Sequence, residues 1–427
     1  MLGGGTFVTQ NKVLPGSYIN FVSARSVLST MGKRGYAAIA LPLSWGMDDA
    51  IFTVTAEDFR SDCRRIFGFE YSSDSAKGLR DIFKNIQTLY CYKLMKNGVK
   101  ASNAVAKAKY KGEAGNLIST EILTGTMQGT FDVNIYFENS MVYSANVKNL
   151  EEMKKQDNGY VEWTLTSLAA SEKTAMSSGA NGDAITAAEH TAFLDATESY
   201  TFNAIGCISS ESAIQALYVQ EAKDMREKKG MHYQAVLYKN AADYEGIVNV
   251  KNCVDAVYWT LGVIAGCQVN QSATNKVYDG EFDIPTNYTQ AQLESAIKSG
   301  EFTFHKVGQE TRVLCDINSL VTITKDKGED FKANQTIRVI DQIAMDIAEM
   351  FNTKYIGKIP NNESGRVSFW NDIVNHHKQM ELIGAIENFD PSSVVVEAGE
   401  SKRSVVVTDE VTIVNAMEKL YMTVIVS

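Results

Sequence analysis

The order of elements between residues 201 and 238 constrains the fold more than any other feature of the chain. TFNAIGCIS (201–209) reads as a buried strand. Ser210 or Ser212 can cap a helix running to Lys229 with Gly230 as its stop, and HYQAVLY (232–238) is a second strand. Strand, helix and strand in succession predict a parallel sheet, because parallel neighbours need a long crossover whereas antiparallel ones need only a tight turn. The alternation continues through GIVNVKN (246–252), an apolar helix from Asp255 and a capped helix TQAQLESAIKSG (289–300) that stops at Gly300.

Elsewhere the texture differs. The first twenty-odd residues are Gly-rich and then extended, more an arm than the start of a core. From Thr55 a helical period runs through Phe59, Cys63, Ile66 and Phe67, and a second through Leu79, Ile82, Phe83, Ile86, Leu89 and Tyr90. Between 101 and 167 come short β-like runs, AKAKYKG, NLISTEILT, TFDVNIYFE, SMVYSANV and YVEWTLT, separated by Gly and Asn. Strands at such short intervals predict a self-contained β domain, a sandwich inserted into the surrounding fold, with 171–183 as a small-residue loop leading out of it. Segment 303–324 returns to strands, including RVLCDI and SLVTIT. Helix 336–351 carries Ile337, Ile340, Ile343, Ala344, Ile347, Met350 and Phe351 along one face, and another helix spans 368–383. Only strands follow: SVVVEA, RSVVVT, EVTIVN and a closing LYMTVIVS (420–427) that has no turn and no return partner.

A chain of 427 residues suggests two to four domains of roughly 100–200 residues each, and 44% apolar content is enough for real cores. With 41 Lys and Arg against 51 Asp and Glu, the net charge of −10 argues against nucleic acid as a partner. The densest basic run, Lys93, Lys96, Lys100, Lys107, Lys109 and Lys111, lacks interleaved aromatics and reads as a solvated linker or interface face. The opening residues carry no basic-then-apolar leader, and the longest apolar run, 256–267, falls short of the ~20 residues that cross a bilayer. No direct membrane insertion is expected; Gly262 and Gly266 in that run mark close helix packing. Six scattered cysteines without a CxxC pair read as small buried hydrophobes.

Nucleophile elbows, Walker and dinucleotide loops, HExxH and EF-hand loops are absent from the sequence, so catalytic, cofactor-binding and metal residues are all expected to be none. Gly32-Lys33-Arg34 reads as a surface turn and Gly3-Gly4-Gly5 as a flexible arm. His376-His377 point about 100° apart on a helix and cannot clamp one metal, which leaves a solvent or interface role.

Four stretches, in order, resemble the contractile-tail sheath proteins of bacteriophages and phage-tail-like bacteriocins. GGGTF followed by NKVLPGSYINFVS (11–23) is similar to the sheath entry arm, and AKAKYKGEAGNLIS (106–119) to the first strands of its inserted β domain. IRVIDQIAMDI (337–347) and VNAMEKLYMTVIVS (414–427) are similar to the C-terminal domain. With matching domain order the resemblance covers nearly the whole chain, although 171–310 matches in pattern only.

The resemblance implies a mixed α/β, multidomain fold: an α/β core domain with an inserted β-sandwich domain, an α+β C-terminal domain and extended N- and C-terminal β arms. The expected division is 1–23 arm, 24–100 and 169–310 core, 101–168 inserted domain, 311–416 tube-proximal domain and 417–427 exchange strand. It implies a structural subunit, not an enzyme, needing no cofactor. Partners would be copies of itself in stacked rings, a tail tube protein, and baseplate and tail terminator proteins, assembled in a bacterial cytoplasm. Expected exchange residues are Tyr18, Ile19, Phe21 and Val22 in one arm and Leu420, Tyr421, Met422, Val424 and Val426 in the other, with Lys378 facing the tube. A baseplate component of sheath-like fold, or a carbohydrate-active α/β enzyme with a β-sandwich accessory, are the competing expectations.

Overall fold

The computed structural model describes residues 3–5 and 16–18 as strand backbone and residues 32–426 in full. Two compact units emerge: 34–341 with 416–427, and 1–33 with 342–415, the boundary falling inside the helix Asn334–Met350.

The first unit is built on a seven-stranded sheet among the described residues. Its strands are β1 Tyr36–Leu41, β2 Ile51–Thr55, β3 Thr88–Lys93, β4 Ala204–Cys207, β5 Gln234–Tyr238, β6 Ile247–Val250 and β7 Glu301–Phe302, ordered β7-β6-β5-β4-β1-β3-β2. Neighbours are parallel, except β2, which runs antiparallel to β3. Alternation sends Ala37, Ile39, Val236 and Val248 into one core and Ala38, Ile205, Ala235, Leu237 and Ile247 into the other. Coverage of both faces is why the central strands YAAIAL, AIGC, QAVLY and IVNV are mostly apolar.

Helix Ala256–Gly266 packs in the first of these cores, and helices Ala187–Thr197 and Ser212–Asp224 in the second. Two glycines set how closely the first helix approaches its neighbour. A Cβ on Gly262 would lie 2.5 Å from the Ile82 carbonyl oxygen, and one on Gly266 1.7 Å from that of Asn85. The expected close packing is therefore present; among the described residues no helix is long and apolar enough to cross a membrane.

Several expectations are corrected here. The period through Leu79 to Tyr90 joins two elements: helix Lys77–Phe83 ends before Asn85, and Leu89 and Tyr90 belong to β3. Buried strand and buried helix are both apolar, so periodicity does not separate them over so few residues. Glu211, not a serine, occupies the N-cap of helix Ser212–Asp224, although Gly230 ends its last turn in the left-handed region at φ 69°. SLVTIT forms no strand. Gly32-Lys33-Arg34 is no surface turn: Arg34 donates to the carbonyls of Ile264 (2.9 Å) and Cys267 (2.8 Å) at the C-terminal end of helix Ala256–Gly266. There a cation meets orphan carbonyls and the negative pole of the helix dipole. Burial, with Arg338 nearby, lowers the Arg34 guanidinium to about 10.

Residues between β3 and β4 form an antiparallel four-stranded sheet in the order Ser171–Ala175, Ile118–Thr124, Phe131–Phe137, Ser140–Val147, with a separate pair Ala106–Ala108 and Val161–Trp163. The stretch 171–183, expected as a loop, thus supplies an edge strand; its Ser, Lys and Thr side chains carry no apolar alternation because it is mostly exposed. Trp45 is fully buried against Tyr110, Phe137 and Tyr160, and its indole donates to the Arg65 carbonyl at 3.0 Å. Four of the six lysines in the basic run are ion-paired: Lys93 with Asp48, Lys100 with Glu162, Lys109 with Asp157 and Lys111 with Asp49. Lys93 is buried, and its side chain also donates to the Lys111 carbonyl at 3.0 Å.

In the second unit helix Glu363–Leu382 begins five residues earlier than expected, because the Asn362 side chain accepts from Gly365 N at 2.8 Å and caps it. Hairpin Val395–Ala398 with Val405–Thr408 and the pair Ile386–Glu387 with Thr412–Ile413 follow. Gly3–Gly5, expected as a flexible arm, pairs in parallel with Gly16–Tyr18.

Candidate functional site

Helix Asn334–Met350 was expected to bury its isoleucine stripe. Ile337 is buried, but Ile340, Ile343, Ala344 and Ile347 are half-buried, whereas Arg338, Asp341, Gln342 and Asp346 on the polar side are buried. Hydrogen-bonded partners make that arrangement tolerable. Arg226 forks onto Asp341 with contacts of 2.6 and 2.7 Å, and this guanidinium holds the Asp341 carboxyl below its ordinary value against the opposing effect of burial. Such a network determines how the helix is seated.

The segment after that network behaves differently. Ala416 N donates to Gln335 Oε1 at 3.0 Å, and the Thr274 hydroxyl donates to Glu418 Oε1 at 2.7 Å. These bonds hold 416–418 against the first unit. Beyond them no helix, turn or ladder is present through residue 426. Leu420, Tyr421, Met422, Val424, Ile425 and Val426 are all between 69 and 90% exposed. Among the described residues the expected strand LYMTVIVS is therefore not a strand, since strand structure requires a hydrogen-bonding neighbour and none of them supplies one. Both of its alternating faces, Leu420, Met422, Val424 and Val426 on one side and Tyr421 and Ile425 on the other, are open. A contiguous apolar and β-favouring segment left in water marks a surface for association.

A second surface belongs to the other unit. The hairpin Val395–Ala398 and Val405–Thr408 packs Val396 and Val405 toward Phe369, Trp370 and Ile373, and the Trp370 indole donates to the Val394 carbonyl at 2.8 Å. Val395, Val406 and Val407 remain exposed, and each strand has a partner on one side only among the described residues. Open edges of this kind accept a further strand.

Tyr18 ends the strand Gly16–Tyr18, while Ile19, Phe21 and Val22 lie outside the described residues. Lys378 is exposed on helix Glu363–Leu382. Its neighbours His376 and His377, expected to meet solvent, are instead buried; His376 Nε2 contacts Asp346 Oδ2 at 2.9 Å and His377 Nε2 contacts Asp409. Nothing in the local sequence announces this, because both carboxylates come from distant segments. Cysteine reactivity is low at Cys63 and Cys315, where burial pushes the thiols up to about 12.

Residues 183–319 match the family described as phage tail sheath protein central domain, and residues 326–427 match phage tail sheath C-terminal domain. The chain is 29% identical to the phage-like element PBSX protein XkdK of Bacillus subtilis over 473 residues, covering 99% of each. Among solved structures it is similar to the sheath tail protein from Desulfitobacterium hafniense, with 30% identity, a TM-score of 0.79 and coverage of 95% of this chain and 99% of that one. The sheath tail protein from Listeria innocua gives 26% identity and a TM-score of 0.82, over 93% and 96%. The contracted helical sheath of the anti-feeding prophage shares the fold alone, with 12% identity and a TM-score of 0.56 over 96% and 99%.

Proposed function

Because the chain belongs to the phage tail sheath family, we propose that it polymerises as stacked rings around an inner tail tube and shortens to drive that tube through a bacterial envelope. Subunits are joined by exchange of both terminal arms, so that rings remain linked while the bodies between them turn. The observation that carries this reading is the largely apolar segment 420–426, which is exposed and pairs with no strand among the described residues. Leu420, Tyr421, Met422, Val424 and Val426 add as a strand to an open hairpin edge of a neighbouring copy, the edge of Val395–Ala398 or Val405–Thr408 being suited to receive it. Tyr18, Ile19, Phe21 and Val22 make the corresponding contribution from the other arm.

About six backbone hydrogen bonds at roughly 0.5–1.5 kcal/mol net each give several kcal/mol per arm before apolar burial. Arms of that strength hold while weaker body contacts exchange, which is what a metastable extended cylinder relaxing to a shorter one requires. Domain 311–416 faces the tube, with Lys378 as the contact and the inserted β domain, 101–168, on the outer surface. Baseplate and tail terminator proteins close the two ends of the cylinder, and assembly takes place in the bacterial cytoplasm.

Deletion of residues 417–427 tests the proposal. A folded monomer that no longer forms cylinders in electron micrographs is expected; cylinders indistinguishable from those of the full chain overturn strand exchange at this arm.

A further inference from the structure

His376 and His377 are adjacent on helix Glu363–Leu382, and both are buried. Their Nδ1 atoms face each other at 3.1 Å. Each Nε2 faces a carboxylate, His376 toward Asp346 Oδ2 at 2.9 Å and His377 toward Asp409 Oδ2. Asp346 is fixed through its other oxygen, which accepts from Gly32 N at 2.9 Å and Gln342 Nε2 at 2.8 Å. The Phe389 ring packs edge-on to His377 with centroids 5.1 Å apart. The ionisable groups in contact with the pair are Asp346 from helix Asn334–Met350 and Asp409 from the segment after the hairpin, while Lys378 and Glu381 on the pair's own helix are exposed.

Three contacts, two N···O and one N···N, each need one hydrogen between their atoms. Two neutral imidazoles bring two hydrogens between them, so the third is one excess proton held by the cluster. Removing it turns two nitrogen lone pairs toward each other at 3.1 Å, and adding another places two N–H groups head to head. Only one proton occupancy satisfies the geometry, and with both rings buried a mismatched Nδ1 contact is costly, even though Asp409 itself reaches solvent.

We propose that His376 and His377 form a proton-counting latch: one shared proton on the Nδ1 contact keeps Asp346 and Asp409 docked on the helix, and acid delivering a second proton opens it. His377 ties the helix to the segment immediately after Val405–Thr408, so opening loosens that hairpin. The inference concerns a single chain and stands or falls separately from sheath assembly.

The test is ¹⁵N NMR of full-length protein labelled at histidine, with His376→Asn and His377→Asn variants assigning the signals. Near pH 7 three of the four ring nitrogens are expected to carry hydrogen, with a scalar coupling across the Nδ1–Nδ1 bond. On acidification the coupling is expected to vanish together with a roughly tenfold rise in amide exchange over residues 386–413, beyond the intrinsic pH effect. The His377→Asn variant is expected to lack that step. Two neutral rings without coupling near pH 7, or a coupling and exchange pattern unchanged on acidification, overturn the proposal.

Discussion

Arg338 and Asp316 form an ion pair in which each side chain is only 1% exposed. Asp316 also accepts from Ala273 N and from the Asn334 side chain, both at 2.9 Å, and Arg338 donates to the Gln271 carbonyl at 3.0 Å. The pair therefore fastens the start of helix Asn334–Met350 to the loops at 271–273 and 316. Removing the cation strands a buried carboxylate, so Arg338→Met is expected to cost about 3–5 kcal/mol, read as a lowered midpoint in urea unfolding. A change under about 1 kcal/mol contradicts the buried pair.

Gly266 has no room for a side chain: a Cβ would lie 1.7 Å from the Asn85 carbonyl oxygen. Gly266→Ala is expected to destabilise by about 1–3 kcal/mol or more through overpacking. Gly230, whose φ of 69° is left-handed but whose surroundings are open, serves as the contrast. Gly230→Ala is expected to cost only about 1 kcal/mol, from backbone strain alone. Thermal unfolding of the two variants distinguishes crowding from strain.

Asp81 is buried and accepts from the Tyr278 hydroxyl at 2.9 Å; desolvation raises its carboxyl from 3.8 to about 6. The folded state therefore binds this proton more tightly than the unfolded one. Its stabilising effect is complete below about pH 3.8 and is lost as pH rises through about 6. Relative to wild type, Asp81→Asn is expected to gain roughly 2–3 kcal/mol between pH 4 and pH 7. Urea titrations at several pH values check this, and a constant difference contradicts it.

Leu420→Asp combined with Val424→Asp introduces charge where both side chains are exposed, 84% and 69%. The monomer midpoint is expected to stay within about 0.5 kcal/mol of wild type, as for ordinary surface changes, while polymerisation is lost. Sedimentation and thermal unfolding of one preparation read both outcomes. Lost stability would show that the segment packs within its own chain.

Lys378→Glu is expected to leave sheath self-assembly intact and weaken co-assembly with tail tube protein, since the side chain is exposed on its helix. Co-sedimentation with tube is the measurement, and unchanged co-assembly removes this residue as the tube contact.

The sequence by itself determined the elements whose signals are local. Short, mostly apolar runs located β4, β5 and β6, Gly300 closed the helix Gln290–Lys298 that Thr289 caps, and the GxxxG pair announced a close helix contact. It also supplied four ordered stretches sufficient to suggest a family. What only the tertiary structure decided depended on partners far along the chain. Leu89 and Tyr90 became strand because β1 lay alongside them, and Ser171–Ala175 became strand because Ile118–Thr124 offered an edge. Asp346 and Asp409 drew the histidine pair inside, Asp316 did the same for Arg338, and residues 420–426 stayed outside the ladders, no neighbour among the described residues meeting their backbone. Helix signals are written within a few residues, whereas pairing and burial of charge are settled by segments that lie some twenty to fifty-odd residues away along the chain, which no local pattern encodes.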